Sequence, residues 1–167
     1  KQELNDAIQN HEFEVYYQPK YNMEENSIIG AEALIRWNDP VHGIRMPSDF
    51  IPIFEKNGFI IQIDFFVLEE VCKFLRSRID AGEKVVPISV NQSRIHLSEK
   101  HYVQRLGEII RKYSIPDGLI ELELTETAIS EIDDVENILN QAKALNYRIS
   151  IDDFGTGYSS LTMLNRV

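Results

Sequence analysis

Apolar positions in this chain switch between a helical and a strand period, and the switch points divide it into elements. Leu4, Ala7 and Ile8 recur at helical spacing with no capping residue ahead of them, so residues 1 to about 10 read as a helix entered part-way. Phe13 to Tyr21 is strand-like, with Pro19 marking it as an edge or irregular strand, and a turn around Asn22 to Asn26 feeds a second strand through Ile28 to Leu34. After Trp37 a polar loop runs from Asn38 to Arg45; Pro47-Ser48-Asp49 then opens a short helix that Gly58 stops. Asp64 is expected to cap an amphipathic helix that buries Val67, Leu68, Val71, Cys72, Leu75 and Ile79, turns Glu69, Glu70, Lys73 and Arg76 to water and ends at Gly82. A helix after Ser98 carries Val103, Leu106, Ile109, Ile110 and Tyr113 inward, and another after Asp133 carries Val135, Ile138, Leu139, Ala142 and Leu145.

Between these helices stand three apolar runs that each finish on an oxygen-bearing side chain. In Val85 to Asn91, Ile88 and Val90 lie opposite Ser89 and Asn91; in Leu119 to Glu126, Leu122 and Leu124 lie opposite Glu121 and Glu123. In Ile149-Ser150-Ile151-Asp152-Asp153 the strand pattern runs into two carboxylates and then into the loop Gly155-Thr156-Gly157. Asn91, Glu123 and Asp152 are 32 and 29 residues apart, about one strand-plus-helix unit each, so equivalent strand ends bring them to one rim. Glu32 on the second strand is a fourth contributor. The order strand, helix, strand, helix, strand makes a parallel sheet wrapped by helices, a fold class whose sites lie at the carboxyl ends of the strands. A closed eight-stranded barrel takes about 250 residues. This chain is therefore expected to supply about five of eight strands, an incomplete α/β barrel.

At 167 residues and 43% hydrophobic content the chain supports one core, and it is read as a single domain over 1–167. No apolar run is long enough to span a bilayer, and a cytoplasmic setting fits. The lone cysteine, Cys72, cannot form an internal disulfide. With 17 basic against 27 acidic residues the net charge is −10, which argues against a long nucleic-acid partner and leaves room for a small phosphate ligand neutralised by metal.

Glu32, Asn91, Glu123, Asp152 and Asp153 offer oxygen donors only, the set preferred by hard cations such as Mg²⁺ or Mn²⁺. Carboxylates converging on one rim repel one another unless a cation sits among them. Two adjacent aspartates suit one or two ions, the arrangement that activates water and stabilises a leaving oxygen in phosphoester hydrolysis. Arg36, just beyond Glu32 on the same strand face, is placed to grip a phosphate or to form an ordinary salt bridge. Asp153-Phe154-Gly155 matches a kinase tripeptide without the catalytic loop or glycine-rich strand that a kinase needs.

These residues resemble the EAL domain family, the cyclic di-GMP phosphodiesterases of bacteria. The naming motif stands as Glu32-Ala33-Leu34, followed by Ile35-Arg36-Trp37. Further matches are Tyr17-Gln18-Pro19, Pro47-Ser48-Asp49-Phe50-Ile51, Val90-Asn91-Gln92-Ser93, Glu123-Leu124-Thr125-Glu126 and Asp152-Asp153-Phe154-Gly155-Thr156-Gly157-Tyr158-Ser159-Ser160. The resemblance implies a TIM-like barrel whose first strand runs against the others, and hydrolysis of cyclic di-GMP to linear pGpG with Mg²⁺ or Mn²⁺. By motif, Glu32, Asn91, Glu123 and Asp152 hold one metal, with Asp152 and Asp153 toward a second. Gln18, Leu34 and Arg36 meet the ligand, and Glu126 anchors the loop after Asp153; Glu32, Asp152, Asp153 and Glu126 form the catalytic group. Calcium is expected to inhibit, because its looser coordination suits in-line displacement less well.

The resemblance also implies homodimer contacts coupled through that loop and an upstream GGDEF or sensor domain in a longer parent. Active relatives continue with a lysine near the nucleophilic water, a glutamate and a glutamine, none of which lies within these 167 residues. The chain reads as a domain lacking its C-terminal third, excised from a multidomain protein and expected to have little or no turnover alone. The alternative is a non-catalytic cyclic di-GMP receptor or regulatory interaction module.

Overall fold

The computed structural model describes residues 2–93, 95, 101–125, 140–143 and 148–152, with 2–4, 125, 151 and 152 as backbone alone. Helix α1 (Gln2–Gln9) leads into a hairpin of β1 (Phe13–Asn22) and β2 (Ser27–Asp39), and β3 (Gly43–Arg45) folds back on β2. Then come α2 (Pro47–Asn57), α3 (Ile60–Asp80), β4 (Ile88–Asn91), α4 (Tyr102–Lys112), β5 (Ile120–Thr125) and β6 (Arg148–Asp152). The strands form one sheet in the order β1-β2-β4-β5-β6, with β3 attached to β2. β1 is antiparallel to β2, and the pairs β2–β4, β4–β5 and β5–β6 are all parallel. This is the incomplete α/β barrel with a reversed first strand that the sequence predicts.

Local chemistry explains the boundaries. The β1–β2 turn closes because the Asn22 Oδ1 accepts the amides of Glu24 and Glu25 at 2.9 and 3.1 Å. Pro19 falls on β1, an edge among the described strands, where its missing N–H costs no central ladder bond. β2 extends to Asp39, past the predicted Leu34, so Arg36 and Trp37 are strand residues. The short β3 inside the loop predicted for 38–45 was not expected. It forms because Asp39 gathers the amides of Val41 and His42, the His42 ring and the Arg45 guanidinium, which also stacks 4.8 Å from the Trp37 ring.

Asp64 corrects the sequence reading. The helix begins at Ile60, and Asp64 lies a turn inside it, 7% exposed. Ile60 and Ile63 belong to the core and pull the helix upstream, while Asn57 Oδ1 accepts the Phe59 amide at 2.9 Å. Glu69 also does more than face water: its carboxylate meets Lys112 Nζ at 2.6 Å and the Tyr113 hydroxyl at 2.7 Å, tying α3 to the end of α4. The helix predicted after Asp133 is described only at 140–143, where Ala142 is fully buried; Val135, Ile138, Leu139 and Leu145 lie outside the described residues.

The sheet's two faces differ in kind. Phe13, Ala33, Ile35, Ile88, Val90, Ile120, Leu122 and Leu124 pack under the helices with Phe50, Phe54, Leu68, Val71, Leu75 and Leu106. Alternation turns Gln18, Lys20, Glu32, Arg36, Asn91, Glu123 and Ser150 to the opposite face. Lys20 on β1 and Glu123 on β5 are three strand steps apart, about 14 Å at the usual spacing. Their charged atoms nevertheless approach to 3.6 Å. Side chains stand roughly perpendicular to a sheet, so this contact requires the sheet to curl toward its polar face. Among the described residues no helix is long and apolar enough to cross a membrane.

Candidate active site at the strand ends

The register of the parallel strands arranges the polar face in ranks. Glu32, Ser89, Glu121 and Arg148 form one rank; Asn91, Glu123 and Ser150 form the next; Thr125 and Asp152 form a third. Moving across the sheet, the predicted donors therefore climb from Glu32 through Asn91 and Glu123 to Asp152. Such a stagger is what closing a tilted barrel demands.

Two of these donors are already joined. The Asn91 side-chain amide donates to Glu32 Oε1 at 2.9 Å, which fixes both groups at the mouth and leaves the Asn91 side-chain oxygen Oδ1 as an available donor atom. Glu123 is 8% exposed, and its two oxygens differ: Oε1 faces Lys20 Nζ at 3.6 Å, while Oε2 is buried with no hydrogen-bond partner. Beside it in the register, the Ser150 hydroxyl is also buried and unpartnered. A buried carboxylate oxygen without a partner carries its full desolvation cost. A hard cation bound by oxygen would satisfy it, and the donors on this face are of that type. The residues present fit a divalent metal of the Mg²⁺ or Mn²⁺ kind.

Among the described residues no group of three His, Cys, Asp or Glu side chains is assembled. Asp152 is described as backbone at the end of β6, and Asp153 and Glu126 lie outside the described residues. Of the two aspartates that would complete the donor set, Asp152 is thus placed by its backbone register alone and Asp153 is outside the described residues.

The predicted ligand contacts lie on β1 and β2. Gln18 is exposed and sits opposite Glu32 in the hairpin register. The Arg36 guanidinium donates to the Ile35 carbonyl at 2.8 Å and rests 5.7 Å from the Tyr16 ring centroid. No carboxylate pairs with it among the described residues, so its charge is available to an anion. Leu34 borders a cavity of about 320 Å³ shared with Ile35, Pro47, Asp64, Asn91 and Ser93.

That cavity brings in residues the sequence reading missed. Asp64 Oδ2 accepts the Ser93 amide at 2.9 Å, and the Ser93 hydroxyl donates to Glu55 at 3.0 Å. Buried Gln92 is held by the Tyr102 hydroxyl and donates to the Asn91 carbonyl at 2.8 Å. The loop after β4 is therefore fixed by α2, α3 and α4, and through it the position of Asn91. Lys20 was also missed. Its spacing of two from Gln18 on one strand was the available signal.

The EAL domain family model matches residues 1–167. The bifunctional diguanylate cyclase/cyclic di-GMP phosphodiesterase MucR of Pseudomonas aeruginosa is 39% identical over 166 residues, which is 99% of this chain and 24% of that protein. The cyclic di-GMP phosphodiesterase NbdA of the same species is 35% identical over 168 residues, 100% of this chain and 22% of its own length. The chain thus spans about a quarter of these relatives. Among solved structures, the PaMucR phosphodiesterase in complex with c-di-GMP superposes with a TM-score of 0.92 at 37% identity, covering 99% of this chain and 68% of that one. The FimX EAL domain of Pseudomonas aeruginosa bound to c-di-GMP superposes at 0.86 with 18% identity, a likeness of fold alone. Sequence, strand order and strand-end chemistry agree: the chain belongs to the EAL domain family.

Proposed function

We propose that this chain is the catalytic-face portion of a metal-dependent phosphodiesterase that hydrolyses cyclic di-GMP to linear pGpG. The observation that carries the reading is Glu123: a buried carboxylate with one unpaired oxygen, in register with Asn91 of the joined Asn91–Glu32 pair, on the polar face of the sheet. Support also comes from relatives named as cyclic di-GMP phosphodiesterases. Glu32, Asn91, Glu123 and Asp152 would hold one Mg²⁺ or Mn²⁺ ion, with Asp152 and Asp153 toward a second.

Bound metal would supply an activated water and neutralise charge on the leaving oxygen. The chain's own residues do the rest. The Asn91 side-chain amide holds Glu32 in place, so that one oxygen of that carboxylate and the Asn91 Oδ1 present fixed donor atoms. Arg36, without a carboxylate partner, offers its guanidinium to a phosphate. Gln18 and Leu34 orient the ligand from β1 and β2, and Glu126 would steady the loop beyond Asp153. A dimer through that loop and an upstream GGDEF domain in the parent belong to the same proposal, as does a cytoplasmic setting.

The test is to incubate the protein with cyclic di-GMP and Mn²⁺ and to separate the nucleotides by chromatography, with Asp152→Ala as control. Linear product that disappears in the variant and with chelator supports hydrolysis. Saturable binding without product supports the receptor reading instead, and absence of any nucleotide binding overturns both.

A further inference from the structure

We propose that Lys20 is the resident counter-cation of the carboxylate rim, a charge-setting residue that opposes the divalent metal at Glu123. The inference rests on the metal reading above and concerns how tightly this site takes its ion.

Four observations carry it. Lys20 Nζ lies 3.6 Å from Glu123 Oε1, across three strand steps. That is an ion-pair distance, outside the 2.7–3.2 Å of an orienting N–H···O hydrogen bond. The lysine is 41% exposed against 10% for the glutamate side chain, so it is a loosely held charge over a fixed carboxylate. Its neighbour in the hairpin register is Gly30, whose missing side chain leaves the lysine a clear path over the sheet. The remaining carboxylate oxygen, Oε2, is buried without a partner, so the lysine neutralises Glu123 incompletely and one oxygen is kept for a second cation.

The other described cations on this face lie away from Glu123. The Arg36 guanidinium rests by Tyr16, and the Arg148 guanidinium lies against Gly118. Lys20 is thus the described cation that faces Glu123, with Glu32 as the nearest carboxylate on β2, held by Asn91. Lys20 also stands at the level of Gly30, below Glu32, whereas Leu34 and Arg36 lie beyond Glu32 toward the carboxyl ends of the strands. It approaches the rim from the floor, so it acts on the metal and not on the ligand's phosphate.

A loosely held charge orients little and repels much. Removing it leaves the rim more negative, and divalent ions should bind more tightly. A single charge and a divalent ion about 6 Å apart in a water-like dielectric correspond to a change on the order of tenfold in affinity. The experiment titrates Mn²⁺ into the protein and follows free Mn²⁺ by electron paramagnetic resonance, comparing wild type, Lys20→Met and Lys20→Arg. Lys20→Met is expected to bind on the order of tenfold more tightly at low salt, with the difference shrinking in 0.5 M KCl, while Lys20→Arg matches wild type. Damage to the fold would weaken binding, so a gain has no structural explanation; if Lys20→Met does not fold, Lys20→Gln carries the same expectation. Equal or weaker binding in the folded neutral variants overturns the proposal with the metal reading intact. Failure of wild type to bind Mn²⁺ at millimolar concentration removes the metal reading and this inference together.

Discussion

Replacing Glu123 by Gln should make the metal-free protein more stable, although the residue is buried at the centre of the candidate site. The wild-type carboxylate has one oxygen in a loose ion pair at 3.6 Å and the other buried without a partner. An exposed-type ion pair of this kind contributes about 0–1 kcal/mol. Burying a charge costs several kcal/mol before compensation, whereas an unpaired neutral amide costs about 1–3 kcal/mol. The difference favours the variant by about 1–2 kcal/mol, which for a chain of this size raises the melting temperature by about 2–8 °C. The assay is urea unfolding of both proteins in EDTA and again in Mn²⁺. In EDTA the variant should be ahead. In Mn²⁺ at a hundredfold excess over its dissociation constant, wild type should gain about 2.7 kcal/mol that the variant does not, so the order reverses. A variant that is less stable than wild type in EDTA by 1 kcal/mol or more would show that both carboxylate oxygens are already satisfied, and the argument for a cation there would fail.

Asp64→Ala should cost about 1.5–3 kcal/mol by urea unfolding, because it strips a buried acceptor from the Ser93 amide; weaker Mn²⁺ binding should accompany it as the loop beyond Asn91 loosens. Asp39 is held down at about 2 by the Val41 amide and the His42 side chain, so its contribution to stability is fully present above its ordinary value of 3.8 and is lost as pH falls toward 2. The urea midpoints of wild type and Asp39→Asn should therefore differ by a constant amount above about pH 5 and converge between about pH 4 and 2. Burial pushes the Cys72 thiol up to about 12, so a thiol reagent at pH 8 should leave the folded protein unlabelled and react fully once urea unfolds it.

The alternation of apolar and polar positions in β2, β4, β5 and β6 was enough to assign the two faces of the sheet and to place Glu32, Asn91, Glu123 and Ser150 on the one away from the helices. Asp64 was misread because an Asp ahead of an apolar stripe looks like a helix cap. Ile60 and Ile63 continue that stripe one turn upstream and were the available corrective. β3 was not legible, since three residues carry no period; its cause is the convergence of four groups on Asp39. Lys20 was hidden for a different reason. Strand patterning predicts which face a residue takes but not how far a sheet curls, and only curvature brings β1 within reach of β5.

That curvature connects the fold to the chemistry. On a flat sheet, donors in three successive ranks would diverge along the strands and no single ion could reach them. Curling tilts each strand relative to the next, so a stagger of two ranks over the four strands from β2 to β6 becomes convergence at one end of the barrel. The Lys20–Glu123 contact reports the curl, and the Asn91–Glu32 bond, made between neighbouring strands across one rank, reports the convergence. Both contacts join residues far apart in sequence, yet each needs only the sheet to hold its shape. The helices that bury Phe50, Phe54, Leu68 and Leu106 against the other face keep it so, which is why an apolar substitution there should loosen metal binding without touching a single donor.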